Sequence, residues 1–138
     1  MTKFGMRLVE EFRDAAGELL ATVVRCRPDF DGSHFFTRPE DLLQVGMQRM
    51  PAGKMIPRHR HNPVERTTVG TAEVLLVMDG RVRVTLGPDD GQDQAVELAM
   101  GDFIVLQPGC EHGVVALEET RLWECKQGPY PGRAEDKG

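Results

Sequence analysis

The sequence predicts an all-β domain, a barrel or sandwich of short strands. Three observations carry that prediction. Glycines and prolines, 15 and 9 of them in 138 residues, cut the chain into short pieces along its whole length, a punctuation that suits strands joined by turns. Several of those pieces are apolar and β-branched, or alternate strictly between apolar and polar residues. They also recur at the short, regular spacing of a sandwich or barrel. The length fits one domain and is enough to bury a core without disulfide staples.

Taken in order, Arg7 to Phe12 and Leu19 to Arg25 read as two strands around Asp14-Ala15-Ala16-Gly17. The stretch Arg13 to Leu20 reads equally well as a short helix. Asp31-Gly32-Ser33 is a turn, and Leu42 to Met50 is a strand. Val74 to Met78 is an apolar run, followed by Asp79-Gly80, a pair suited to a type I′ hairpin turn. Arg81 to Leu86 then alternates, placing Val82, Val84 and Leu86 inward and Arg81, Arg83 and Thr85 outward. Gly87 to Gly91 is a loop, Ala95 to Leu98 a short strand and Gly101-Asp102 a turn. Phe103 to Leu106 is a buried strand ended by Pro108-Gly109. Val114 to Leu117 and Thr120 to Cys125 are the last strands. We expect a single domain over 1–138, with N-terminal strands within 5–30, a core barrel over about 40–126 and an irregular tail over 127–138.

Composition removes several function classes. Apolar residues make up 40% and charged residues 28%, which is ordinary globular material. The net charge is −5 and no basic stripe is visible, so nucleic acid is not the expected partner. The longest apolar run, Val74 to Met78, is far too short to span a bilayer. Met1 to Glu10 mixes charges with its apolar residues and does not read as a signal peptide. Cys26, Cys110 and Cys125 are odd in number and form no CxxC pair, which favours a reduced, cytoplasmic setting.

Three of the four histidines sit in two telling places. His59-Arg60-His61 is an HxH pair. In a strand, side chains at i and i+2 share a face with Cα atoms roughly 6.5 Å apart, so two imidazoles can converge on one ion. His112 follows Pro108-Gly109, where a strand has ended in a turn.

These residues resemble the cupin superfamily. Gly53, five residues and His59-Arg60-His61 match the start of its first motif, and Glu73, six residues and Gly80 match its end. Gly101, Pro108, Gly109 and His112 match its second motif, with Gln107 in place of the usual proline and Ala116 where many members carry asparagine. Eleven residues separate His61 from Glu73, where the family usually has three or four. Glu65 has the literal spacing from His61, but after six further residues comes Ala72, not glycine. Glu73 opens the apolar strand that turns at Gly80, and it is the favoured carboxylate.

The resemblance implies a double-stranded β-helix, or jelly-roll, barrel. It implies one divalent transition metal, Fe, Mn, Ni, Co or Zn, held by His59, His61, Glu73 and His112. Such a centre suits a metal-dependent enzyme, a dioxygenase or isomerase, acting on a small oxygenated or sugar-like molecule at the barrel mouth. The alternative is a non-catalytic cupin that binds or senses a small ligand. Arg66 and Gln107 are candidate substrate contacts, while Arg60 should point away from the ion. Arg58 to Pro63 and Lys126 to Tyr130 resemble segments of small stand-alone bacterial cupins. A homodimer is the oligomer the resemblance implies. Outside the motifs, His34 reads as a surface or loop residue, Cys110 as a small turn residue, and Trp123 as core or dimer interface. Met47, Met50 and Met55 read as core fillers.

Overall fold

The structure, a computed structural model, describes residues 8–25, 32–88 and 93–137. Strands β1 (Val9–Arg13) and β2 (Leu19–Val24) pair antiparallel. Between them the chain turns rather than forming a helix. The Asp14 carboxylate accepts the backbone N–H groups of Ala16 (2.9 Å) and Glu18 (3.0 Å), which holds the turn closed. Strands β3 (Ser33–Phe35) and β4 (Gly46–Gln48) form a small separate hairpin. The strand expected over Leu42 to Met50 is thus only three residues long, and residues 49–72 contain no strand. Pro51, Pro57 and Pro63 lack the N–H groups that a central ladder requires.

The remaining elements are β5 (Glu73–Asp79), β6 (Arg81–Leu86), β7 (Gln94–Ala99), β8 (Phe103–Leu106), β9 (His112–Ala116), β10 (Arg121–Lys126) and one helical turn, α1 (Arg133–Asp136). That turn lies in the tail expected to be irregular. One sheet has the order β1-β2-β8-β5-β10 and another has β7-β6-β9. All pairings are antiparallel.

Two apolar clusters explain why β8 is apolar at every position. Ile104 and Leu106 point into the main core with Ala21, Val23, Leu75 and Val77. That core is closed from the opposite sheet by Val82, Val84, Leu86, Val96 and Leu98. Phe103 and Val105 point the other way, with Val24 and Val74, and are covered by Phe36, Leu43, Val45 and Met47 from around the β3–β4 hairpin. A strand covered on both faces reads as a continuous apolar run. On β6 only one face is covered, so Val82, Val84 and Leu86 are buried while Arg81 and Arg83 are exposed, as their alternation requires.

One expected hairpin is a corner instead. β5 pairs with β8 and β10, whereas β6 pairs with β7 and β9, so Asp79-Gly80 carries the chain from one sheet to the other. Gly80 has φ 90° and packs against the turn at Glu119 and Thr120. A dipeptide able to adopt positive φ serves a sheet-to-sheet corner as well as a hairpin. The local residues cannot tell the two apart.

The last two strands differ from the rest. Every residue of β9 and nearly every residue of β10 is exposed. Trp123 is 52% exposed and Met55 77%, and Met50 is exposed as well, so these are not core residues in a single chain. Met47 alone of the three methionines packs on a buried cluster. His34 is exposed on β3, its ring edge-on to Phe36. Cys26, Asp31 and part of the loop expected over Gly87 to Gly91 lie outside the described residues. Among the described residues no helix is long and apolar enough to cross a membrane.

Candidate functional site

Glu73 is the first residue of β5 and stands opposite Lys126 on β10. His112 is the first residue of β9, opposite Leu86 on β6. The two open ends therefore face each other from different sheets. They line a pocket of about 1040 Å³, together with Thr85, Cys110, Lys126 and the α1 turn. Glu73 Oε2 lies 3.5 Å from His112 Nε2, with the side chains 18% and 30% exposed.

His112 Nδ1 is 2.9 Å from the Cys110 carbonyl oxygen. A carbonyl only accepts, so Nδ1 carries the hydrogen and Nε2 is turned towards Glu73. Protonated on both nitrogens, His112 also donates Nε2–H towards Glu73; that bond lowers the Glu73 pKa against a smaller opposing effect of burial, and the charges of His112, Lys126 and Lys137 lower it further. The same bond to Glu73 raises the His112 pKa, again against burial. Burial pushes the Cys110 thiol up, which leaves it a small buried packing residue rather than a nucleophile.

The first-motif histidines are elsewhere. Residues 50–70 are all exposed and form no strand. His59 Nδ1 lies 2.8 Å from the Pro57 carbonyl oxygen, the same arrangement as at His112. The His59 and His61 rings are edge-on with centroids 5.3 Å apart. Among the described residues, no three His, Cys, Asp or Glu side chains converge as a metal-binding group. The structure brings Glu73 to His112 and His59 to His61, but not one pair to the other within a chain. Glu65 and Arg66 lie in the same exposed segment. Gln107 is buried, and its amide donates to Asp41 Oδ2 at 3.3 Å.

The Cupin domain family matches residues 46–122, more than half of the chain. The match runs from β4 into β10 and takes in His59, His61, Glu73 and His112. The chain is a cupin. Its antiparallel sheets and apolar core are those of the cupin jelly-roll. No curated protein and no solved structure matches it.

The donor types of this cupin suit a divalent transition ion. Two donors each ~2.1 Å from one ion, at a right or tetrahedral angle, stand ~3.0–3.4 Å apart, close to the 3.5 Å between Glu73 and His112. Both His59 and His112 anchor Nδ1 on a backbone carbonyl, the support that orients a histidine to ligate through Nε2. Placement is the disagreement. One chain holds the two donor pairs apart, and neither pair alone supplies four ligands.

The tail also contributes to the pocket, which its sequence does not announce. Lys126 Nζ donates to Asp136 Oδ2 at 3.1 Å, which sets α1 beside the pocket. No local pattern announces this, because the contact depends on how the tail folds back after Gln127. Gln127 helps, its side-chain oxygen accepting the Ala72 N–H at 2.6 Å.

Proposed function

We propose that this cupin binds one divalent transition metal ion through Glu73 and His112 together with His59 and His61, and acts on a small oxygenated or sugar-like molecule in the same pocket. The observation that carries the reading is the Glu73–His112 pair, 3.5 Å apart in the pocket wall. The lining supports it. Glu73, Asp93, Glu111, Glu124, Glu135 and Asp136 face only two lysines, a net of −4 with His112 neutral. Such a lining attracts a cation and repels a free small anion. An oxygenated molecule is therefore received through the ion rather than by the walls. Glu73, beside His112, is preferred to Glu65 as the carboxylate ligand, and Arg66 remains the candidate contact to the bound molecule.

The test is elemental analysis of protein purified without affinity metals, beside His59→Ala and His112→Ala. The wild type should carry a transition metal and both variants should lose it. Equal metal in all three samples sinks the assignment. Metal-loaded protein that retains a small ligand unchanged in the presence of oxygen would make it a holder of that ligand and not an enzyme.

A further inference from the structure

We infer that the site is completed in trans: Arg58 to Asn62 of one copy pairs with the open edge of β9 on a second copy, carrying His59 and His61 to the partner's Glu73 and the partner's His112. This deepens the metal reading above and rests on it.

The receiving wall is unfinished in one chain. β9 has β6 on one side, and among the described residues no strand on the other. β10 likewise has only β5. Neighbouring residues of a strand point to opposite faces, yet Val114 and Val115 are both exposed, as are Leu122 and Trp123. Apolar side chains bare on both faces, beside an unpaired edge, mark a strand that another segment is built to cover.

The donated segment is the counterpart. Residues 50–70 are exposed throughout, and they include the apolar Met55, Ile56, Val64 and Val69. Pro57 and Pro63 bracket five residues, Arg58 to Asn62, the same length as β9. A run flanked by residues without N–H groups suits an edge strand, and β9 offers one free edge. The charges match as well. The segment has four basic residues, Lys54, Arg58, Arg60 and Arg66, against Glu65, a net of +3, facing a pocket lining of −4. Its end is already fixed beside the pocket, where Gly70 (φ 91°) lies so close to Pro108 that an added Cβ would sit 2.9 Å from the proline Cβ.

The exchange is reciprocal, so a two-fold dimer holds two complete sites and leaves no donated segment unused. The competing arrangement, in which the segment folds onto its own β9, is separated by mixing. His59→Ala/His61→Ala chains and Glu73→Gln/His112→Gln chains are co-expressed with different tags, and dimers carrying both tags are titrated with cobalt(II) and read by visible absorption. We expect two ions per wild-type dimer, none for either variant alone, and one per mixed dimer. Cobalt-binding wild type with a cobalt-free mixed dimer overturns the trans arrangement alone. Wild type that binds no cobalt overturns the metal reading and this inference with it. Recovery of no mixed dimer, or a metal-loaded wild-type monomer by light scattering at micromolar concentration, also overturns it.

Discussion

Gly80→Ala tests the corner on which the two-sheet arrangement depends. Gly80 sits at φ 90°, where an L-residue costs about 1–2 kcal/mol. Alanine also stiffens the unfolded chain, which returns about 0.4–1 kcal/mol. The backbone effect alone is then a loss of roughly 1 kcal/mol. Gly80 has a second problem. A Cβ there would stand 2.7 Å from Thr120 Cα and inside contact distance of the Glu119 carbonyl and the Thr120 hydroxyl. Backbone must move, and the Thr120 hydroxyl, which accepts the Arg81 N–H at 3.1 Å and donates to the Arg81 carbonyl at 3.2 Å, moves with it. Forced displacement costs about 1–3 kcal/mol and each lost bond about 1 kcal/mol. We expect a total loss of about 3–5 kcal/mol by urea unfolding. Gly17→Ala is the control, since φ is 85° there but no atom lies within 4 Å of the added Cβ. It should lose only the ~1 kcal/mol backbone share. Equal losses at the two positions would refute the corner argument.

Three further outcomes are expected. Ile104→Ala, at a fully buried position, should cost about 2–5 kcal/mol, whereas Val115→Ala, on exposed β9, should cost under about 0.5 kcal/mol in isolated monomer; the same urea titrations rank them. In metal-free protein the Glu73–His112 pair should stabilise between about pH 4.5 and about pH 6.5. The lowered Glu73 pKa gives stability that is lost as pH falls through its folded value, and the raised His112 pKa gives stability that is lost as pH rises through its own. Glu73→Gln should therefore matter most inside that window, and a pH-independent difference in melting temperature would count against the pair. Cys125, exposed, should react with a thiol reagent in the native protein well before Cys110, which is buried with its thiol pKa raised; peptide mapping by mass spectrometry gives the order.

The parts of the fold that were legible were those decided locally. Phe103 to Leu106 was read as a buried strand because four consecutive apolar residues between Gly101 and Pro108 leave little else, and it lies between two clusters. Val82, Val84 and Leu86 were assigned to the core by alternation alone. Asp79-Gly80 is legible as a turn but its destination is not, because whether β6 folds back on β5 or crosses to β7 and β9 is fixed by distant residues. The same division runs through the site. The donor types were visible in the two motifs, and the meeting of Glu73 with His112 follows from where β5 and β9 begin. The path of His59 and His61 was not visible, since the exposed segment bracketed by Pro57 and Pro63 forms no strand and packs on no sheet that would fix it.

The long gap between His61 and Glu73 links these observations. A spacer of three or four residues ties an HxH strand to the strand that follows it, and both must then serve the same barrel. Of the eleven residues, 62–72, Gly70 and Ala72 are held at their own barrel, and the eight before them can extend to at most ~26–29 Å, enough to reach a neighbouring molecule. Lengthening a flexible connection costs little, about 0.6 kcal/mol per doubling, so the insert frees the HxH segment cheaply. What then decides its destination is which edge is open, which apolar faces are bare and where the negative charge lies. All three point to the β9–β10 side of the pocket, and in a single chain that side stays bare. If the segment crosses as inferred above, the insert is the element that would let two copies complete each other's sites, and the exposed Val114, Val115, Leu122 and Trp123 are the surface that such sharing would cover.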